Sequence, residues 1–167
     1  MSARIDGLRS VAFYDDGTFP NSALPLLFYE AALSRDAVTP EALERMFAAN
    51  RWAPAWRASV YTFHHYHSTA HETLGVARGS ARLMLGGPKG ELFDVRAGDV
   101  IVIPAGLAHR RLNSTNDFLV VGAYPLGQDW DLLRGEAGDR PGADHNIAAV
   151  PIPVSDPVGG ALVELWG

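Results

Sequence analysis

The segment HYHSTAHETLGVARG, residues 65–79, and the segment GDVIVIPAGLAHRRLN, residues 98–113, decide the fold of this 167-residue chain. From residue 59 onward apolar side chains recur at every second position, which is the period of half-buried β-strands. The pattern predicts strands at 59–66, 71–78, 80–86, 91–95, 99–103, 108–113 and 118–124, separated by turns rich in glycine or asparagine. Short strands at this spacing predict an all-β sandwich or barrel.

Residues before the strand-rich part contain one clear helix signal. Thr39 can cap a helix, Pro40 suits its first position, and Glu41 favours the positive end of the helix dipole, so the sequence predicts a helix over about 40–49. The apolar run 24–33 fits either a strand or a helix, and its aromatic centre favours a strand.

The chain therefore divides into three parts of one domain. Residues 1–58 form an N-terminal arm with the helix, residues 59–124 form the barrel core, and residues 125–167 form a tail rich in proline and glycine. The apolar end of the tail, 161–166, predicts a final edge strand. The tail is too short to form a second domain.

Composition excludes several kinds of protein. The chain has six histidines and no cysteine, so it has no disulfides or thiolate nucleophile, and any metal must be held by imidazole and carboxylate. A net charge of −5 argues against nucleic acid as a partner. Since no apolar run approaches a membrane span and the first residues lack a signal core, we expect a cytoplasmic protein with no membrane partner.

The histidines concentrate in the first of the two segments. On a strand, His65 and His67 project from the same face, so they offer two imidazoles to one point. Glu72 opens the next strand and can supply a carboxylate, while His109 follows a turn in the second segment. Imidazole suits the divalent ions of Fe, Mn, Ni, Cu and Zn.

The two segments read His-x-His-x4-Glu-x6-Gly and Gly-x5-Pro-x-Gly-x2-His-x3-Asn, and together they resemble the two motifs of the cupin superfamily. Only the leading glycine of the first motif is missing, where this chain has Ser59. The resemblance implies a single-domain antiparallel jelly-roll barrel that binds a divalent transition metal through His65, His67, Glu72 and His109. It also implies a homodimer.

A closer resemblance, to the bacterial YjlB-like cupins, extends beyond the barrel. It includes Asp15-Asp16-Gly17, the stretch 52–56, residues 64–68 and the proline-rich tail. This resemblance strengthens the expected fold and metal site, and it leaves the substrate open.

Alternation along the strands predicts the neighbours of the metal. His71 should point away from Glu72, although a shell that uses His71 instead of Glu72 is the second choice. The pocket candidates are Tyr61 and Phe63, which share the face of His65; Leu74, which shares that of Glu72; and Arg111, which shares that of His109. Arg111 would bind an acidic ligand or reach solvent at the barrel rim. We interpret His64 and His145 as bystanders, and Trp52, Trp56 and Trp130 as core or interface anchors.

Two functions fit these features. The first is a metal-dependent enzyme of dioxygenase or isomerase type that acts on a small oxygen-rich or anionic molecule, because both reactions use an ion to hold substrate oxygens. The second is a metal-bearing module that binds a small molecule without turnover. An acid or base in the pocket beyond the ligands would favour the enzyme.

Overall fold

The computed structural model describes residues 2–5 and 7–167, whose strands form two antiparallel sheets. The strands are β1 Ser2–Ile5, β2 Leu8–Phe13, β3 Ser22–Tyr29, β4 Trp52–Ala58, β5 Glu72–Arg78, β6 Ser80–Leu85, β7 Glu91–Arg96, β8 Val100–Ile103, β9 His109–Ser114 and β10 Leu119–Pro125. One sheet has the strand order β1-β2-β3-β8-β5-β10-β4, and the other has the order β7-β6-β9.

The main hydrophobic core lies between these two sheets. Alternate residues of β6 and β7 are buried, and they meet the inward side chains of the larger sheet; Leu26, Leu74, Leu83, Phe93 and Ile101 are representative members. This arrangement confirms the predicted all-β, single-domain jelly-roll architecture.

A second core covers the outer face of the larger sheet. Leu43 and Phe47 of helix α1, Pro40–Ala49, pack there with Trp166 of helix α3, Leu162–Trp166. The helix approaches β5 so closely that a Cβ added at Gly75 would lie 2.7 Å from Leu43 Cδ2. Because both of their faces are covered, β5 and β8 are buried almost throughout and do not alternate.

Helix α1 has the predicted bounds and the predicted cap. The Ala42 amide donates to Thr39 Oγ1 at 3.0 Å, and Pro40 occupies the first turn. A further helix, α2, spans Gly142–Ala149 in the tail. In the described part of the chain no helix has the length and apolarity that crossing a bilayer requires.

Six of the predicted strands are present as β5 to β10, displaced by at most one residue at either end, and the run 24–33 contributes β3. The predicted strand 59–66 is wrong: the regular strand is β4, and beyond it His65 and Tyr66 form only isolated bridges. Proline at position 54 argues against a strand in the sequence, but β4 lies at the edge of its sheet, where proline is tolerated.

The final edge strand predicted for 161–166 is also wrong, because these residues form α3. Trp166 is buried, and its Nε1 donates to the carbonyl of Pro25 at 2.9 Å. This end of the chain therefore completes the outer core.

Candidate metal centre

Three imidazoles converge on one point between the sheets. One ring nitrogen from each of His65, His67 and His109 lies within 4.8 Å of the other two, and all three side chains are buried. Two backbone hydrogen bonds between His65 and His109, of 3.2 and 2.9 Å, fix the two chain segments side by side. The Gly106 amide donates to the His67 carbonyl at 2.8 Å and holds the third histidine in place.

The Nδ1 atom of each histidine faces a backbone carbonyl. His65 Nδ1 lies 3.0 Å from the Phe63 oxygen, His109 Nδ1 lies 3.0 Å from the Leu107 oxygen, and His67 Nδ1 contacts the oxygen of Asp131. Because a carbonyl only accepts, each Nδ1 carries the hydrogen and donates it. This fixes the tautomer that leaves Nε2 for a metal, as in established metal sites.

Glu72 closes the fourth side of the cluster. Its Oε2 lies 3.2 Å from His67 Nε2, and its Oε1 lies 3.1 Å from His109 Nε2. Although burial opposes ionisation, the neighbouring His67 holds the pKa of Glu72 well below its ordinary value. Burial likewise opposes the charging of His67, yet Glu72 raises the pKa of His67.

This donor set fits a divalent ion. His109 Nε2 is buried and has no hydrogen bond among the described residues, although a carboxylate oxygen lies 3.1 Å away. With its hydrogen on Nδ1, this imidazole turns a lone pair towards that oxygen, an arrangement that a cation relieves. Burial, with the neighbouring His109, lowers the pKa of His65 to about 3 and keeps His65 in the neutral form that ligates metals.

A cavity of about 590 Å³ opens above the four side chains. All four pocket candidates line it, namely Tyr61, Phe63, Leu74 and Arg111. The Arg111 guanidinium donates from Nε to the Val60 carbonyl at 3.2 Å and from Nη1 to Ser114 Oγ at 2.6 Å, so backbone and hydroxyl contacts orient it along the wall.

The other histidines lie outside the cluster. His71 is buried on the opposite side of the sheet, where its ring packs against Trp166 with 4.9 Å between centroids and its Nδ1 accepts from the Ala105 amide at 2.9 Å. His64 contacts Phe19, and His145 is exposed on α2. Burial lowers the pKa of His71 to about 4.

Sequence reasoning missed three side chains of the cavity and an arginine beside it. Trp56, Tyr124 and Trp130 line the cavity. Of the three tryptophans expected as core or interface anchors, Trp52 is buried in the outer core and Trp56 packs against the inner core, whereas Trp130 is half exposed. The guanidinium of Arg134 lies 3.8 Å from the centre of the Phe63 ring. Burial, then the Glu72 carboxylate, raises the pKa of the Tyr124 hydroxyl above its ordinary value. The alternation of β10 could have revealed Tyr124, whereas Trp130 and Arg134 lie in a tail without any period.

Comparison with known proteins gives one match by family model and one by overall sequence. The model described as Cupin matches residues 61–124, which include the four clustered side chains. The protein named Uncharacterized protein YjlB of Bacillus subtilis (strain 168) is 39% identical over 158 residues, which are 92% of this chain and 93% of that protein.

Solved structures show more distant likenesses. A DUF861 family protein of Thermotoga maritima is 27% identical, over 53% of this chain and 91% of that chain, with a TM-score of 0.33. Acireductone dioxygenase of Bacillus anthracis, with a cadmium ion in its active centre, is 14% identical over 77% of this chain and 83% of that chain, with a TM-score of 0.40.

Proposed function

This chain belongs to the cupin family, and we propose that it is a divalent-metal-dependent enzyme acting on a small oxygen-rich or anionic molecule. One observation carries the proposal. Three imidazoles with Nδ1 committed to carbonyls, together with one buried carboxylate, surround a single point on the floor of a cavity that is large enough for a small molecule.

In this proposal His65, His67, Glu72 and His109 hold the ion, which is Fe, Mn, Ni, Cu or Zn. Four protein ligands leave positions free on an ion that takes six. When bound, such an ion supplies Lewis-acid chemistry that polarises substrate oxygens. Because Glu72 is buried against two histidines, it offers a negative charge that offsets part of the charge of the ion.

The remaining cavity residues position the substrate and protect it from water. Arg111 places a permanent positive charge on the wall, where it suits an acidic group. The hydroxyl of Tyr124 is protonated at neutral pH, as is usual for tyrosine, and its raised pKa extends that state to higher pH. It can therefore donate a hydrogen bond to a substrate oxygen.

Between the two reaction types, the cavity favours oxygenation. Moving a proton between carbons, as an isomerase does, requires a base. Among the described lining residues, no carboxylate or imidazole lies outside the proposed ligand set. We therefore propose a dioxygenase first, with dioxygen as co-substrate, and an isomerase second.

The convergence of three histidines and Glu72 at the floor of the cavity also fits the second candidate function, a binding module without turnover. Such a module needs the metal, the cavity and Arg111, but no proton donor or acceptor that acts in a reaction. Oxygen uptake during incubation with candidate substrates separates the two: consumption in proportion to substrate supports the enzyme, and saturable binding without consumption supports the module.

The test of the metal site is metal analysis of protein purified without a metal-affinity column. We expect about one divalent ion per chain in the native protein and a large loss in His67→Ala. The matched control is His64→Ala, because His64 neighbours the cluster in sequence but lies outside it. A metal-free native protein, or full metal content in His67→Ala, would contradict the proposal.

We further propose a cytoplasmic homodimer. The sequence offers two apolar segments for the contact between subunits, the N-terminal arm and the end of the chain at Trp166. Since Trp166 is buried within its own chain, we favour the N-terminal arm. Its strand β1 lies at the edge of the larger sheet, and edge strands invite pairing with a second chain. Light scattering coupled to size-exclusion chromatography should give twice the chain mass of 18.0 kDa, and a single chain mass would refute the dimer.

A further inference from the structure

Two pairs of stacked aromatic rings flank the proposed metal ligands. Tyr61 and Phe63 stack at 4.8 Å and 19°, and Tyr61 stands edge-on to His65 at 5.1 Å. Tyr124 and Trp130 stack at 6.1 Å and 16°, and Trp130 stands edge-on to His67 at 5.7 Å. Each pair thus contacts one imidazole of the cluster, and all four rings line the cavity.

The charge of this part of the site is positive. Neither Arg111 on the wall nor Arg134 against Phe63 forms an ion pair with a carboxylate of the described residues. Glu72, the one acidic side chain among the described lining residues, is engaged by His67 and His109. Beyond the ligand cluster the cavity therefore offers aromatic side chains and one cation without an ion pair, Arg111, while Arg134 lies beside it against Phe63.

Contacts with the tail hold the pair of Tyr124 and Trp130 in place. Tyr66 and Leu133 exchange two backbone hydrogen bonds of 2.9 and 3.0 Å, and Thr69 Oγ1 donates to the Asp129 carbonyl at 2.7 Å. These bonds fix Trp130 over His67 although half of its surface, 51%, is exposed. A large aromatic side chain held at this exposure beside a cavity can contact a molecule that enters.

Resting on the proposed metal function, we propose that the ligand is a planar aromatic or heteroaromatic acid. Its ring stacks against the aromatic walls, its acidic oxygen faces Arg111, and its remaining oxygens point to the cluster of His65, His67, Glu72 and His109. A puckered or aliphatic molecule of equal charge lacks a flat face and gains less from these walls. Trp130 is the residue that determines this preference.

The experiment compares salicylate with its saturated counterpart, 2-hydroxycyclohexanecarboxylate, which carries the same two oxygen groups on a puckered ring. Because the phenol of salicylate also binds metal ions better than the alcohol does, the change in preference in Trp130→Ala is the deciding measurement. The affinities of the two probes for protein loaded with Mn²⁺ are measured by titration calorimetry. We expect salicylate to bind at least fivefold more tightly. In Trp130→Ala that advantage should fall to twofold or less with metal content unchanged, and Trp130→Phe should restore most of it. Tyr14→Ala, which removes an exposed aromatic outside this cavity, should bind as the native protein does.

Equal affinities for the two probes, or no measurable binding of salicylate by the loaded protein, would overturn the inference. An undiminished advantage in Trp130→Ala would also overturn it, because it would place the preference elsewhere. These failures differ from failure of the proposed function: there the native protein would carry no divalent ion, and the metal analysis would show it before any probe is added.

Discussion

At the residue scale, positions 71 and 72 place an imidazole and a carboxylate on opposite sides of one sheet. Glu72 lies within 3.2 Å of His67 and His109, whereas His71 packs on Trp166. We expect Glu72→Ala to weaken metal binding at least tenfold, because the ion would lose a carboxylate ligand and the negative charge that it carries. His71→Ala should bind metal within twofold of the native protein, as measured by competition with a chelator of known affinity. The opposite ranking would assign the fourth ligand to His71.

His71 also predicts a pH dependence of stability. Burial lowers its pKa from 6.5 to about 4, so the unfolded chain takes up a proton between these values while the folded chain does not. The free energy of unfolding therefore falls as pH decreases from 6.5 to 4, by up to about 3 kcal/mol from this group. Denaturant titrations of metal-free protein should show a smaller loss in His71→Gln, which can still accept from the Ala105 amide. Parallel curves for the two proteins would argue against this origin.

At the scale of elements, the contact between β4 and β10 determines where one cavity wall stands. Gly122 on β10 lies opposite Trp56 on β4, and a Cβ added at Gly122 would overlap the indole ring. Gly122→Ala should therefore displace Trp56 and lower the free energy of unfolding by about 1–3 kcal/mol, which denaturant titration with fluorescence detection measures. At Gly138 a Cβ meets nothing within 4 Å, so Gly138→Ala should be neutral or slightly stabilising.

The tail segment around Asp131 supports the metal centre from outside the barrel. The Asp131 carboxylate accepts hydrogen bonds from the Ser68 amide, at 2.6 Å, and from the Ser68 hydroxyl. The main-chain carbonyl of Asp131 accepts a hydrogen bond from His67 Nδ1. Asp131→Ala frees this carbonyl to move, and we expect metal affinity to fall about tenfold or more.

The control for this prediction is Asp129→Ala, because the main chain of Asp129, and not its carboxylate, accepts from Thr69. Chelator competition should leave that variant at native affinity. If Asp131→Ala also kept native affinity, the hydrogen bond to His67 would not depend on the Asp131 carboxylate.

How far these elements follow from sequence depends on the range of the interactions that form them. Thr39 and Pro40 signal α1 locally, and strict alternation signals β6 and β7. Strand alternation paired His65 with His67, and the resemblance to the cupin motifs added His109, the third histidine that converges with them. In contrast, residues 60–63 alternate like a strand but line the cavity without forming one. Trp130 is placed beside His67 by tail contacts between residues more than 60 positions apart in the sequence. No local period encodes such contacts.

At the scale of the whole molecule, the larger sheet separates two hydrophobic cores, one on the side of the cavity and one beneath the helices. Val60 and Leu74 of the inner core line the cavity of the candidate metal centre, and the outer core carries α1 and α3. Leu43→Ala in the outer core should lower the free energy of unfolding by about 2–5 kcal/mol while metal content stays unchanged. Thermal unfolding and metal analysis of one preparation check both halves. Leu92→Ala, at an exposed leucine, should change neither, and a loss of metal in Leu43→Ala would show that the two cores are coupled.

The tail that carries Trp130, Asp131 and Arg134 also bears on how such a protein can diverge. The four candidate ligands lie between residues 65 and 109, whereas Trp130, which stacks on Tyr124 at the cavity, comes from the tail. Substitutions in the tail can thus alter which ligands the cavity binds while the proposed metal ligands stay unchanged. Exchange of tails between related chains, with Asp131 retained, would transfer selectivity as a separate trait.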